Sequence, residues 1–547
     1  MASPRGRSKA AVIGLDGAAW HLLDPLLSSG VMPRLAALRS RGAWGTMRST
    51  VPTYTPPAWT SAATGVNPGR HGIYGFVEGH AQVERPTLAH SGRVKSPTIW
   101  EMAGAQGVRT GVYNLPLTYP PQPLDGWMVS GMMTPGYGER QPGFASWNGD
   151  AVSEELVRRI NDWAPGYVLD ISANYEQDWR DDALARRALG AIRQRKIVLE
   201  RLLELDEPDV LFSVQEAPDR LQHVYYRYLD PADEMHDTPA ARAVRPLLHE
   251  CFAAIDEIVG LLDDWAGDSG GVIVCSDHGF TRWEMTVHLN ALLARWGYFA
   301  LKPGAAALRS GLVRKAVPVA KRFLPRRLAR EAKGRTFSAV DWERTRAFAS
   351  PIPQQGIIVN VRGREPQGVV DPDELESVKD DLTRRLLETR APDGAPLVDE
   401  VHRSEDVFHG DAREGAPDLL PVMRDHRYEN SDEIFHKDPF SDVRHMPRGV
   451  HHMDGIVAIA GPGARAGARI EGHVMDVTPT LLYLAGLAVP EGLDGRVLTA
   501  AFEDDHLRGR PIESTAAIER AAGDGESPYS REEEAMIEES LRGLGYL

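Results

Sequence analysis

Three short apolar runs that each end in an acidic residue constrain the fold of this chain most. They are AAVIGLDG at 10–17, DVLFSVQEAPD at 209–219 and GVIVCSDHG at 271–279, and a fourth run, DGIVAIAGPG at 454–463, follows a pair of histidines. A short apolar run without polar alternation is typical of a strand that is buried on both faces of a sheet. Because ligands collect at the carboxyl ends of the strands in open α/β sheets, we expect the acidic residues after these runs to share one site.

Helical patterns lie between these strands, at 32–42, 181–206 and 246–265. Strands that alternate with helices predict an α/β fold with a mostly parallel central sheet and helices on both faces. A chain of 547 residues is long for one uninterrupted domain, so we expect one large catalytic domain that carries insertions.

The predicted domain organisation divides the chain into a core, an insertion and a tail. Residues 77–165 are rich in Gly, Pro and Trp with weak periodicity, and are predicted to form long active-site loops. The predicted segments are the first part of the catalytic core at 1–300, a smaller α+β insertion or cap at 301–445, the closing part of the core at 446–500, and a tail with a helix at 501–547.

Two segments outside the core have distinctive patterns. Residues 302–335 contain eleven Lys or Arg against one acid, which is typical of a solvated lid helix, with an anionic surface or a partner as the alternative. The tail sequence YSREEEAMIEESLRGLGYL predicts an amphipathic helix that docks on its own domain or on a second subunit, as in a homodimer.

Composition excludes several classes of protein. The formal net charge of −15 argues against general binding of nucleic-acid polymers, which an excess of Lys and Arg would hold. Cys251 and Cys275 are too few for a disulfide framework and fit a reducing compartment. Since no apolar run reaches 18 residues and the run after the basic start is too short for a signal peptide, we expect a cytoplasmic protein without a membrane span.

Four places in the chain supply metal ligands of the Asp and His type. Taken alone, a strand-end Asp more often caps a helix or forms a turn, but Asp219 and His223 are four residues apart and would face one way on a helix. Three Asp and three His suffice for two divalent ions, most simply Zn²⁺ with Mn²⁺ as the alternative, and such a pair can hold the attacking and leaving oxygens of a phosphoryl displacement. The candidate ligands are Asp16, Asp219, His223, Asp277, His278 and His451.

The segment STVPTYTPPAWTSAATG at 49–65 supplies a candidate nucleophile. Thr55 followed by two prolines predicts a helix that Thr55 caps and that Gly65 ends. Capping is the common role of such a threonine. A hydroxyl at a helix N-terminus, however, also faces the positive end of the helix dipole, where phosphate binds, and metal coordination can activate it for attack.

These motifs together resemble the type I phosphodiesterase/nucleotide pyrophosphatase family of the alkaline phosphatase superfamily. The similarity covers most of the chain. It is carried by VIGLDG at 12–17, PTYTPPAWTSAATGVNPGRHGI at 52–73, SVQEAPDRLQH at 213–223, VIVCSDHGF at 272–280, GVHHMDGIVAIAGPG at 449–463 and DVTPTLLYLAGLAVPEGLDGRVL at 476–498.

The resemblance implies a role for each candidate residue. In the family the nucleophilic Thr lies nine residues before the Thr of a Thr-Gly pair, a spacing that Thr55 and Thr64 keep. It implies in-line attack by Thr55 on the phosphodiester or pyrophosphate bond of a small phosphate-ester or nucleotide-like substrate, through a phospho-threonine intermediate. One metal ion would be held by Asp16, Thr55, Asp277 and His278, and the other by Asp219, His223 and His451.

The chain departs from the family where a substrate oxygen would be held. Ala58 stands where an Asn is expected, and Pro56 and Pro57 lack amide donors. We therefore expect the metals, the amide of Thr55 or Ala58, or Thr60 to stabilise that oxygen. His71 is a further candidate for substrate contact, although a structural histidine is the commoner role.

Two other functions remain open from the sequence. A phosphomonoesterase would need a cation over the terminal phosphate, which Arg70, Arg220 or Arg282 could supply. A non-catalytic binding or scaffold protein that retains the fold is the alternative from a different class. Trp59 and Trp100 could stack on a base, although large aromatic residues more often pack in a core.

Overall fold

A computed structural model of the chain describes residues 8–79, 82, 87–136, 143–175, 177–306, 336–349, 356–520 and 526–546. Within these residues a nine-stranded sheet runs in the order β9-β2-β8-β7-β1-β6-β3-β4-β5. Five of its strand pairs are parallel, and β8 pairs antiparallel with β2 and β7, as β5 does with β4. The strands are β1 Ala10–Leu15, β2 Ala43–Arg48, β3 Thr110–Leu115, β4 Gly126–Ser130, β5 Ala145–Trp147, β6 Val210–Gln215, β7 Gly271–Cys275, β8 Asp454–Ala460 and β9 Arg469–His473.

Helices cover both faces of this sheet, as the sequence predicts. Alternate side chains of β1 enter two separate apolar clusters: Ile13 packs in the cluster that contains Leu38, and Val12 in the one that contains Leu481. Since both faces are buried, the strand needs no polar alternation. The longer described helices are α1 Trp20–Ser28, α2 Pro33–Arg41, α3 Thr55–Thr64, α4 Glu154–Trp163, α5 Ala183–Leu205, α6 Ala217–Leu229, α7 Pro239–Ala266, α8 Leu375–Glu388, α9 Val477–Ala485 and α10 Arg531–Gly543; shorter ones are Pro68–His71, Ile99–Gly104, Leu289–Arg295, Pro303–Ala306, Ser404–Val407 and Asp504–Gly509.

The segment 77–165 differs from its predicted loop character, because it supplies β3, β4 and β5 to one edge of the main sheet. Its glycines reflect close packing: a Cβ on Gly111 would lie 2.8 Å from both Leu211 Cδ1 and Trp127 Cζ2. Glycine content that normally marks turns here marks strands in close contact with large side chains.

A smaller α+β unit lies within the predicted insertion. Its antiparallel sheet has the strand order Ala347–Ala349, Ile357–Val359, Leu419–Met423 and Val398–Arg403, and α8 packs beside it. A three-stranded sheet adjoins it, with Met285–His288 between Tyr428–Ser431 and Phe440–Asp442. Of the basic segment 302–335, residues 307–335 lie outside the described residues.

Two further elements border the carboxyl edge of the main sheet. Strand Gly279–Arg282, which continues from β7, pairs antiparallel with Gly449–His452. The tail forms the predicted helix α10, whose Ile537 and Leu541 are buried in the same apolar cluster as α2 and α5, so the helix docks on its own chain. None of the helices in the described part of the chain is long and apolar enough to cross a membrane.

Candidate metal centre

The central strands bring the candidate ligands together at their carboxyl ends. Asp16 follows β1, and Asp277 with His278 follows the adjacent strand β7. On the other side of β1, strand β6 leads into α6, which carries Asp219. Strand Gly449–His452, which pairs with Gly279–Arg282, adds His451, and all six predicted Asp and His ligands are at most 4% exposed.

The first ligand group surrounds the hydroxyl of Thr55. Nε2 of His278 lies 3.2 Å from Oδ2 of Asp277 and 3.7 Å from Oδ1 of Asp16. The same nitrogen lies 3.4 Å from Oγ1 of Thr55. These four residues therefore point their polar atoms at one small volume.

The second group lies beside the first. Oδ1 of Asp219 is 3.3 Å from Nε2 of both His223 and His451, and these two nitrogens are 2.9 Å apart. The predicted four-residue spacing on α6 therefore does place Asp219 and His223 on one face. The rings of His451 and His278 stack with centroids 3.7 Å apart, so the two groups are immediate neighbours.

Each of the three carboxylates has one oxygen that accepts a hydrogen bond from another protein group. Oδ2 of Asp16 accepts from the indole of Trp59 at 2.9 Å, Oδ1 of Asp277 accepts from the amide of Gly17 at 3.1 Å, and Oδ2 of Asp219 accepts from Arg220 at 2.8 Å. The other oxygen of each is buried without a hydrogen-bond partner among the described residues. Those three oxygens are the ones that face the imidazole nitrogens.

Buried acceptors without donors are costly, and a bound cation would satisfy these three oxygens. The imidazoles fit the same role, because Nδ1 of His451 lies 2.9 Å from the carbonyl of Thr53 and Nδ1 of His278 lies 3.1 Å from that of Gly279. A proton on Nδ1 donates to these carbonyls and leaves the lone pair of Nε2 for a metal ion. Two mixed O and N ligand sets of this kind suit divalent ions of the zinc type.

Burial is the largest cause of several pKa shifts in the two ligand groups. Burial, reinforced by Asp277 and Asp219, raises the pKa of Asp16 well above its usual range, and burial raises the pKa of Asp277 to about 7. Burial lowers the pKa of His223 to about 4 and that of His278 well below its usual value. His223 and His278 are thus kept neutral, as metal ligands must be, whereas Asp219, acting against burial, raises the pKa of His451.

Thr55 occupies a different helix position from the predicted one. It is the first residue of α3, the flanking N-cap residue is Tyr54, and no side chain caps the helix. Pro56 and Pro57 offer no amide hydrogens, so the Thr55 hydroxyl has no nearby donor to cap and is directed at His278 instead. Gly65 ends the helix in the left-handed conformation at φ 70°, as predicted.

The predicted substrate contacts near Thr55 are engaged elsewhere. The amide of Ala58 donates to the carbonyl of Tyr54 at 3.1 Å, so it is not directed at a substrate oxygen. Thr60 lines a separate, small pocket together with Trp100. Nε2 of the fully buried His71 lies 2.9 Å from Ser61 Oγ and its Nδ1 accepts from the amide of Ile73, which makes His71 a structural residue.

Sequence reasoning missed an aromatic shell around the second group. Tyr175 stacks on His223 with centroids 4.5 Å apart, and Phe280 meets the same ring edge-on at 4.8 Å. Tyr546 places its hydroxyl 3.4 Å from Nε2 of His223. Trp59, a candidate for base stacking, is instead buried and holds Asp16. No spacing rule connects these residues to the ligands, since their contacts are long-range.

A third set of potential ligands lies in the insertion. Donor atoms of His288, Glu433 and His436 lie within 4.8 Å of one another. The two imidazole rings are stacked almost parallel, with centroids 3.5 Å apart. None of the three residues contributes to the two groups beside Thr55.

Comparisons with known proteins agree with this architecture. The family model described as type I phosphodiesterase / nucleotide pyrophosphatase matches residues 10–454. No curated protein sequence is significantly similar to the chain. Phosphonoacetate hydrolase from Sinorhizobium meliloti 1021, solved with phosphonoacetate, is 17% identical with a TM-score of 0.53, over 88% of this chain and 97% of that one. Murine ectonucleotide pyrophosphatase / phosphodiesterase 5 is 14% identical with a TM-score of 0.44, over 88% and 96% of the two chains. The family match and the first of these structures confirm the predicted fold.

Proposed function

The chain belongs to the type I phosphodiesterase / nucleotide pyrophosphatase family, and from this premise we propose that it cleaves a phosphodiester or pyrophosphate bond with two metal ions and Thr55 as the nucleophile. One observation carries the proposal. Three buried carboxylate oxygens without hydrogen-bond donors among the described residues converge with three imidazole nitrogens beside the Thr55 hydroxyl.

The two ligand groups would hold one ion each. Asp16, Asp277, His278 and Thr55 would bind the first ion, and the second would lie between Asp219, His223 and His451; Zn²⁺ suits these ligands best, with Mn²⁺ as the alternative. When bound, the ions supply positive charge that lowers the pKa of the Thr55 hydroxyl and stabilises the attacking and leaving oxygens.

The chain's own residues position the reaction. Oγ1 of Thr55 attacks phosphorus in line, the bond from phosphorus to the leaving oxygen breaks, and a phospho-threonine ester remains. Water then hydrolyses that ester and returns the free hydroxyl. Thr55 lies at the N-terminus of α3, where the helix dipole favours the negative phosphoryl group.

The ion pairs of three arginines favour a phosphodiester substrate over a phosphomonoester. Arg70 contacts the carbonyl of Gly492 and lies 3.1 Å from Asp494, and Arg282 pairs with Glu284. Arg220 is buried between two carboxylates, those of Asp170 at 3.1 Å and Asp219 at 2.8 Å. Since each predicted candidate is neutralised in this way, none of the three supplies a free cation for the second negative charge of a phosphomonoester.

The test replaces the nucleophile and a matched threonine on the same helix. Thr55→Ala should lower turnover of a zinc-loaded sample on bis(4-nitrophenyl) phosphate by at least about a thousandfold, whereas Thr60→Ala, which alters a separate pocket, should stay within about threefold. Acid quenching during turnover should release one 4-nitrophenol per diester and trap a 4-nitrophenyl phosphoryl group on Thr55 in a mass spectrum.

Three outcomes would contradict the proposal. A Thr55→Ala variant with near-normal turnover would exclude the nucleophile. Faster turnover of 4-nitrophenyl phosphate than of the diester would favour the phosphomonoesterase. A chain that purifies without metal, takes up none and hydrolyses neither ester would be a binding protein that retains the fold.

A further inference from the structure

The C-terminal segment brings a tyrosine to the second ligand group. Tyr546 is 6% exposed, and its hydroxyl lies 3.4 Å from Nε2 of His223. Its ring stacks on Phe76 with centroids 4.6 Å apart and lies 5.6 Å from the ring of Tyr54, the neighbour of Thr55. Tyr546 therefore borders the space between the candidate nucleophile and the second group.

Several contacts fix the segment in this position. Before α10, the ring of Tyr529 stacks on that of Tyr119 with centroids 5.5 Å apart. Within the helix, Ile537 and Leu541 are buried. At its end, the carbonyl of Gly543 accepts from the amide of Tyr175, whose own ring stacks on His223. Contacts before, within and after α10 thus fix the position of Tyr546.

We propose that Tyr546 is a substrate-binding residue, whose hydroxyl donates a hydrogen bond to a phosphoryl oxygen held at the Asp219, His223 and His451 group. The inference rests on the proposed function, because it assumes that a metal ion and a phosphoryl group occupy this site. Tyrosine brings a neutral donor on a rigid ring, which suits recognition of an anionic oxygen among buried residues.

The distance to His223 supports this role. A metal ion on Nε2 of His223 lies about 2.0 to 2.1 Å from that nitrogen, so it would be within about 5.5 Å of the Tyr546 hydroxyl. An oxygen bound to such an ion on the side that faces Tyr546 would be within hydrogen-bond reach of the hydroxyl. The ion would also take the lone pair of Nε2, so this nitrogen would no longer accept from Tyr546.

The experiment measures phosphate binding rather than turnover. The full chain, loaded with zinc and carrying Thr55→Ala to prevent covalent chemistry, is titrated with inorganic phosphate by calorimetry. Tyr546→Phe should weaken phosphate binding by about tenfold or more, the usual loss for a hydrogen bond to a charged group. Tyr529→Phe makes the same chemical change in the same segment, away from the ligands, and should alter the affinity less than threefold.

The controls separate binding from folding and from the proposed function. Zinc content and melting temperature should match between the two Phe variants, because both keep their rings. Equal phosphate affinity in the two variants, or no zinc-dependent phosphate binding at all, would overturn the role of Tyr546. If Tyr546→Phe weakens phosphate binding but the Thr55 enzyme hydrolyses no diester, the proposed function fails while the phosphate contact stands.

Discussion

Replacing Asp219 with Asn tests the second ligand group with the least disturbance to packing. The substitution keeps the shape of the side chain and an acceptor for Arg220, but it removes the charge that lies 3.3 Å from the reactive nitrogens of both His223 and His451. We expect the variant to lose one of two metal ions and to keep the ion beside Thr55.

The magnitude follows from the charge that is lost. Two unit charges about 4 Å apart interact by about 4 kcal/mol at an effective dielectric constant of about 20, which corresponds to roughly a thousandfold in affinity. A divalent ion in contact with the carboxylate interacts more strongly, so a thousandfold weaker zinc affinity is a lower bound. One site should therefore need a free zinc concentration about a thousandfold higher than in the wild type to fill.

Asp170→Asn is the matched control. Asp170 also pairs with the buried Arg220, at 3.1 Å, so both variants leave that guanidinium with one carboxylate partner fewer. Asp170, however, is absent from both ligand groups beside Thr55. Any loss of stability through Arg220 should thus appear in both variants, whereas the loss of zinc should appear only in Asp219→Asn.

The assay is zinc content by elemental analysis after dialysis against buffers of fixed free zinc, with melting temperatures measured on the same samples. A wild-type stoichiometry of two and an Asp219→Asn stoichiometry of one are expected. Retention of both ions with unchanged affinity in Asp219→Asn would refute the assignment of this group. Equal zinc loss in Asp170→Asn would show that the loss of zinc arises through Arg220 instead.

Two further predictions concern residues around the site. Trp59→Phe removes the indole donor to Asp16 and should weaken zinc binding at the Thr55 group by about tenfold to a hundredfold. The control Trp100→Phe removes a hydrogen bond to Gln122 and should leave zinc binding unchanged. Equal zinc affinity in the two variants would contradict the role of Trp59. Burial lowers the pKa of His71 to about 3, whereas a histidine in the unfolded chain has a pKa of about 6.5. Between these two pH values the unfolded chain binds a proton that the folded chain does not. The stability contributed by neutral His71 is therefore complete above about pH 6.5 and falls as the pH drops toward about 3. This loss of stability is about 2 kcal/mol at pH 5. In urea titrations of metal-free samples, His71→Asn should therefore lose less stability between pH 7.5 and 5 than the wild type. Equal losses in the two proteins would contradict the prediction.

The convergence of the candidate ligands was predictable because it follows local rules. Asp16 and Asp277 end strands that the apolar runs identify, and adjacent parallel strands bring their carboxyl ends together. Asp219 and His223 are one helical turn apart, so their common face follows from helix geometry. Such relations hold within a few residues or within one type of sheet, and a single sequence therefore reveals them.

The partners of those ligands were not predictable. Gly17 donates to Asp277 across 260 residues and the indole of Trp59 donates to Asp16 across 43, and no pattern in the chain marks either pairing. The strands of 77–165 were missed for a related reason, since Gly111 reads as a turn signal until the ring of Trp127 is placed against it. Long-range packing determines these features, and the spacing of residues along the chain does not reveal it.

The tail shows where local prediction stops. Its periodicity correctly predicts an amphipathic helix, but Tyr546 lies beyond Gly543, the last residue of α10, so the helical pattern cannot place it. The path of the chain there is set by the bond from Tyr175 to Gly543 and by the stack on Phe76. Because Tyr175 also packs on His223, the same contacts that hold the tail in place hold a ligand of the second group. Docking of the tail and order in this part of the centre are therefore physically linked.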